Sequence, residues 1–293
     1  MNKPQNSPAP GRVLFPPLCD HFRLTTTAML LAPMAYLAHQ PWWFYATYAA
    51  YLSLMLVVHN VVAPAILWRC SGTYRKEARD LKQRLVWRNI ATSMVHAATF
   101  FTTAVIDFSD GDFSCRLWTS NSPFQEACFA LMLAYLTYDT FLVIVTYLHG
   151  TITFPMFVGY SVHHWLGIIS YLIVLGGKQG GEFGTYVHLS ELSTVFLHIR
   201  WFYERTKRPE ALGFLITSAL FALCFTATRV LLPMYMIIRQ YSTVHLWTDA
   251  WRGQAVFAIS LVFYALQLMW FVEVATGVKE GVQALLKPKP KSS

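Results

Sequence analysis

Charged residues are scarce in this 293-residue sequence: Asp, Glu, Lys and Arg make up only 13% of it, about half the share usual in soluble domains. Hydrophobic residues make up 55%, and the mean hydropathy is +0.39. That composition excludes a disordered, coiled-coil or collagen-like chain and argues against a soluble enzyme. Because the surplus of apolar side chains needs lipid around it, the sequence predicts one polytopic membrane domain.

The sequence also lacks the patterns that hold metal ions or disulfide frameworks. Its five cysteines form no C-x-x-C pair, and no H-E-x-x-H spacing occurs. We therefore expect no metal site, no disulfide framework and no cofactor. A single bridge between Cys115 and Cys128, on the lumenal side, stays open as an alternative.

Long apolar runs predict an all-α polytopic membrane protein with seven transmembrane helices around a polar intramembrane cavity, or eight if residues 24–39 also cross. Residues 24–68 contain no Asp, Glu, Lys or Arg, which is enough chain for two crossings at about 20 residues each. Residues 24–39 fit a helix lying in the membrane interface slightly better. The seven predicted spans are 44–68, 89–107, 124–148, 157–176, 185–203, 211–238 and 253–275.

The spans divide the chain into three regions. We expect residues 1–43 to form a partly disordered N-terminal segment, residues 44–276 to form the transmembrane domain, and residues 277–293 to form a basic tail. Within the domain, Ser122, Pro123 and Gln125 predict an N-cap, a first-turn proline and a capping box that open the third span.

The basic residues predict the orientation of the domain. The loop 69–88 carries seven Lys and Arg residues against two acidic ones, which places it in the cytosol. The loop 107–123 carries three Asp residues against one Arg and is expected in the lumen. By alternation the tail 277–293 is cytosolic, so the net charge of +8 lies beside anionic lipid rather than nucleic acid.

The tail also carries a pattern typical of an address signal. Lys289 and Lys291 resemble the K-x-K-x-x dilysine motif that coat proteins use to retrieve membrane proteins to the endoplasmic reticulum. This resemblance predicts residence in the endoplasmic reticulum membrane and coat proteins as partners. The alternative is a basic tail that is attracted to anionic lipid through charge alone.

Ionisable side chains inside the predicted spans are costly in lipid, so each is a candidate for function. Polar residues recur at helical spacing on four spans, which predicts a shared polar interior. At a rise of 1.5 Å per residue, four of these side chains lie about 10–14 Å inside the cytosolic ends of their spans. They are His96, Asp139, His163 and His164. An aspartate beside neutral imidazoles is an arrangement suited to acyl transfer.

Two further intramembrane charges, Glu191 and Arg229, lie deeper toward the lumenal side. An arginine alone in hydrocarbon is costly, so we expect a carboxylate partner for it. The estimated depths favour Glu191 over Asp139 as that partner.

Several short motifs follow one another along residues 44–275. They are Trp87-Arg88-Asn89 with Ser93 and His96, Tyr138-Asp139, His163-His164, Glu191-Leu192-Ser193 with Arg200-Trp201-Phe202, and Arg229 with Pro233. Together they resemble the TLC domain. That family includes ceramide synthases, translocating-chain-associating membrane proteins and small lipid-homeostasis proteins.

The resemblance implies a lipid-facing cavity and a role in lipid homeostasis. In ceramide synthases the paired histidines precede an H-D-x-S-D element, and Glu191 and Ser193 match its first Asp and its Ser. Ser190 and Thr194 stand where those enzymes have His and the second Asp. The chain therefore resembles the small TLC-domain proteins more than the synthases.

Three functions follow as hypotheses. The first is a lipid N- or O-acyltransferase that uses acyl-CoA. In that enzyme His163 or His164 is the base or nucleophile, Asp139 and Glu191 orient or polarise it, and His96 assists. The second is a non-catalytic protein that binds or moves membrane lipids, and the third is a cargo receptor of the endoplasmic reticulum.

Overall fold

A computed structural model describes residues 40–109, 121–206, 208 and 211–286. Every regular element in these ranges is helical, which confirms the predicted all-α class. The predicted helix or span at residues 24–39, Cys115 and the two tail lysines lie outside the described residues, whereas Cys128 is a buried free thiol. The helices are α1 Trp42–Cys70, α2 Gly72–Glu77, α3 Leu81–Ser109, α4 Pro123–Leu148, α5 Phe154–Gly177, α6 Gly181–Leu189, α7 Glu191–Arg205, α8 Leu212–Leu246 and α9 Ala250–Leu286.

Within the described ranges, six helices are long and apolar enough to cross a membrane: α1, α3, α4, α5, α8 and α9. The predicted single span 185–203 is wrong as one helix, because that stretch is divided between α6 and α7. The break falls at Ser190, whose backbone N–H and hydroxyl both donate to the Val187 carbonyl, at 3.1 and 2.6 Å. This tight turn offers the backbone an alternative to continuing the α-helix.

Two membrane-crossing helices contain a widened π segment, Val58–Val62 in α1 and Thr226–Leu231 in α8. Each segment is followed closely by a proline, Pro64 or Pro233. Proline has no N–H to donate four residues back, and its ring crowds that carbonyl, so the helix rearranges locally. Both segments carry a polar intramembrane residue, as π segments at functional sites often do.

The six crossing helices and α7 pack as a ring in the order α1, α4, α5, α9, α8, α7 and α3, and α3 closes the ring against α1. Helix α4 also contacts α3 and is the most enclosed: 61% of its apolar window is buried, against 11% for α8 and α9. The candidate residues of α3, α4, α5 and α7 therefore share one interior, while α8 and α9 present most of their surface to lipid.

Both ends of the bundle are fixed by polar contacts. At the basic end, the fully buried Trp87 donates its Nε1–H to Glu77 Oε2 at 2.7 Å, and the same oxygen accepts from Arg205 Nε at 2.8 Å. At the other end, the predicted capping box of Ser122 and Gln125 is present and opens α4. These contacts hold α2 beneath α3 and α7 and fix where α4 begins.

Candidate functional site

The central feature of the interior is a contact between a histidine and a carboxylate. His164 Nε2 on α5 lies 3.2 Å from Asp139 Oδ2 on α4, and both side chains are largely buried. The other ring nitrogen, Nδ1, is 3.3 Å from the Thr140 hydroxyl. A carboxylate at Nε2 favours the tautomer that carries its proton there, and it leaves Nδ1 as the basic nitrogen.

The two adjacent histidines face different surroundings. Because successive helical residues diverge by about 100°, His163 points away from Asp139 and lies edge-on against Phe263 and Trp270 of α9, at ring distances of 5.1 and 5.5 Å. Its Nδ1 makes no hydrogen bond within the described residues. Of the pair, only His164 is oriented by a carboxylate from the described part of the chain.

Arg229 lies beside Glu191, the partner that depth predicted. Its Nη2 is 3.5 Å from Glu191 Oε1 and donates to Thr194 Oγ1 at 2.8 Å, and its Nε donates to Ser193 Oγ at 2.7 Å. Glu191 is in the first turn of α7, where a negative charge also favours the helix dipole. The Glu191 carboxylate therefore forms an ion pair with an arginine rather than a hydrogen bond to a histidine.

His96 is held mainly by aromatic packing. Its ring stacks on Tyr135 with centroids 3.3 Å apart, and its Nδ1 lies 3.5 Å from the Tyr51 hydroxyl. Tyr135 in turn donates to Ser93 Oγ at 3.1 Å, and the same hydroxyl is hydrogen-bonded to His198 Nε2 at 2.9 Å. The predicted polar stripes on α3, α4 and α7 thus meet in one hydrogen-bonded layer.

Sequence reasoning missed some neighbours of these residues. The sequence patterns do not mark Tyr51 or Thr140 as site residues. They also do not predict the hydrogen bond of 2.8 Å between His59 Nδ1 and the Tyr138 hydroxyl, which joins α1 to α4. His59 lies in the π segment of α1. Pro64, which follows the π segment, is the sequence signal that could have indicated a local irregularity of the helix at His59.

The His164–Asp139 contact has a geometry suited to proton transfer. Asp139 holds His164 through Oδ2, while Asp139 Oδ1 has no hydrogen-bond partner among the described residues. The carboxylate is thus placed to stabilise an imidazolium formed by protonation of His164 Nδ1. No group of three or more His, Cys, Asp or Glu side chains in the described ranges is arranged to hold a metal ion.

Comparison with known proteins supplies a second line of observation. The family model of the TLC domain matches residues 86–276, from the start of α3 into α9. The chain is 24% identical to human TLC domain-containing protein 4 over 221 residues, which cover 73% of this chain and 82% of the human protein. It is 25% identical to TLC domain-containing protein 4-B of Xenopus laevis over 237 residues, 77% of this chain and 86% of the relative.

Proposed function

Because the chain belongs to the TLC-domain family, we propose that it transfers an acyl group to a membrane lipid, with His164 and Asp139 handling the proton. The family consists of membrane proteins that generally act in lipid metabolism or homeostasis. The observation that carries the proposal is the 3.2 Å contact between His164 Nε2 and Asp139 Oδ2 inside the bundle.

In the proposed reaction, the hydroxyl or amine of the lipid attacks the carbonyl carbon of a thioester such as acyl-CoA. His164 Nδ1 accepts the proton of the attacking group, and the Asp139 carboxylate stabilises the imidazolium. An ester or amide bond forms, the carbon–sulfur bond breaks, and the leaving thiolate takes the proton from the imidazolium. The products are the acylated lipid and free thiol, so His164 returns to its neutral form.

A second candidate is a non-catalytic protein that binds or moves membrane lipids. Two observations favour this candidate: His163 packs against aromatic rings, and Glu191 is paired with Arg229. Two of the predicted catalytic side chains therefore have structural roles. Lipid contacts alone would account for the polar interior without any proton transfer.

Lipid profiles of whole membranes separate the two candidates. We expect cells that lack the protein to regain their lipid profile with the wild-type chain and with His163→Ala, but not with His164→Ala. The matched pair differs by one position on the same helix turn, and expression of each variant is checked in the membrane fraction. Full restoration by His164→Ala would reject acyl transfer and leave lipid binding.

For location, we propose the endoplasmic reticulum membrane with the tail in the cytosol, on the basis of the predicted dilysine pattern. Replacing Lys289 and Lys291 by Ser, or adding alanines after Ser293, should release the protein to the Golgi and cell surface. The readout is fluorescence microscopy of the tagged chain against organelle markers. Retention of the alanine-extended form, whose charge is unchanged, would contradict the retrieval signal and support charge attraction to lipid.

A further inference from the structure

A concave pocket of about 380 Å³ lies at the basic end of the bundle, away from the His164–Asp139 contact. We name it the basic pocket, and its walls come from the end of α1, from α2 and from the start of α3. Three arginines, Arg69, Arg84 and Arg88, line it together with Trp68 and Tyr74. We propose that the basic pocket binds a phosphate monoester, such as the headgroup of an anionic lipid at the membrane surface.

The first support is uncompensated charge. None of the three arginines forms an ion pair with an acidic side chain in the part of the chain that the structure describes. The nearby Glu77 is committed to Arg205 and Trp87, and Asp80 Oδ1 accepts the backbone N–H of Lys82. Three like charges around one concavity repel one another, so an anion between them lowers the free energy.

The second support is an unsatisfied donor. Arg88 Nε is buried and has no hydrogen-bond partner within the described ranges. A buried donor without a partner costs free energy that a bound acceptor recovers. Phosphate oxygens match the planar fork of donors on a guanidinium, which accounts for three arginines rather than lysines at these positions.

The third support is the position of the basic pocket at the end of a membrane-crossing helix. Helix α1 ends at Cys70, and Trp68 is 56% exposed there, as expected for an aromatic residue at a membrane interface. Ile66 and Val62, about one and two turns before Cys70, are also exposed. A lipid whose phosphate lies between the arginines would therefore lay its acyl chains along the apolar surface of α1.

Phosphate can also reach this pocket from water, so the test compares two sources. The full chain in neutral detergent micelles is titrated with short-chain phosphatidic acid, with phosphatidylcholine of the same chain length, and with glycerol 3-phosphate. Bound molecules are counted by native mass spectrometry. Phosphatidic acid should bind most tightly if the source is a lipid, whereas equal affinity for glycerol 3-phosphate would assign the site to a soluble phosphate compound.

Variants decide whether the basic pocket is responsible. We expect Arg84→Gln and Arg88→Gln each to weaken phosphate binding about tenfold, the factor that corresponds to about 1.4 kcal/mol. Arg79→Gln removes the same charge from an exposed neighbour that does not line the pocket. It should therefore change the binding affinity by less than about twofold, well below the tenfold loss expected for the pocket variants. Because Arg88 is partly buried, Arg69→Gln and Arg84→Lys provide second variants that are easier for the fold to accept.

Two results would overturn the proposal. One is equal loss of binding in Arg79→Gln and in the pocket variants, because general charge attraction would then explain all of it. The other is the absence of measurable binding of phosphatidic acid and of glycerol 3-phosphate to a folded wild-type chain. The test does not depend on acyl transfer, since His164 and Asp139 remain unchanged in every variant.

Discussion

Replacing Arg229 by Leu is expected to destabilise the folded protein by about 3–5 kcal/mol, the usual cost of breaking a buried ion pair. The change leaves the Glu191 carboxylate without its counter-charge and removes the donors to Ser193 and Thr194. Since the Arg229 and Glu191 side chains are only 12% and 18% exposed, little solvent is available to compensate. The measurement is the amount of folded protein in membranes and its apparent melting temperature in detergent.

A double variant tests whether the pairing is the cause. Arg229→Leu combined with Glu191→Gln removes both charges, so it should recover part of the stability lost in Arg229→Leu. Arg239→Leu on the same helix is the matched control, because the Arg239 side chain donates to the Tyr235 hydroxyl and lies over its ring but forms no ion pair with an acidic side chain in the described ranges. If the double variant is as unstable as Arg229→Leu, the Glu191 contact does not carry the effect.

Replacing His164 by Ala is expected to lower the rate of the proposed acyl transfer by about 10²–10⁴, the usual contribution of a positioned general base. Asp139→Asn should also reduce the rate, because the amide cannot neutralise an imidazolium and offers a donor where Nε2–H needs an acceptor. The measurement is the initial rate of acyl transfer by purified protein at saturating thioester.

His163→Ala and Thr140→Val serve as controls for that prediction. His163 packs against α9 rather than against Asp139, so its loss should affect stability more than rate. Thr140→Val keeps the shape of the side chain and removes the hydroxyl near His164 Nδ1, and a modest change in rate is expected. Equal rate losses in His163→Ala and His164→Ala would argue against the assignment of His164 as the base.

The crossing helices were predictable because lipid demands long apolar runs whose backbone is hydrogen-bonded internally. The predicted span 124–148 corresponds to α4, and its start was readable from Ser122 and Gln125. The break at Ser190 was not readable. The break depends on hydrogen bonds from the Ser190 N–H and hydroxyl to the Val187 carbonyl. The spacing of apolar residues carries no information about these hydrogen bonds.

The site was predictable in part for the same reason. Helical stripes and estimated depth brought Asp139 near His164 and Arg229 near Glu191, and both contacts occur. Depth could not tell His163 from His164, because adjacent residues differ by rotation about the helix axis rather than by level. The aromatic stack on His96 depends on how α3 faces α4, which a single helix does not specify.

The most direct measurement follows a labelled acyl group from a thioester to lipid in nanodiscs that hold the purified full chain. The wild-type protein should transfer the label to a hydroxyl- or amine-bearing lipid, and His164→Ala, folded and equally abundant, should not. Heat-inactivated protein sets the background rate. Wild-type protein that binds lipid but moves no label above that background would contradict acyl transfer by the His164–Asp139 pair.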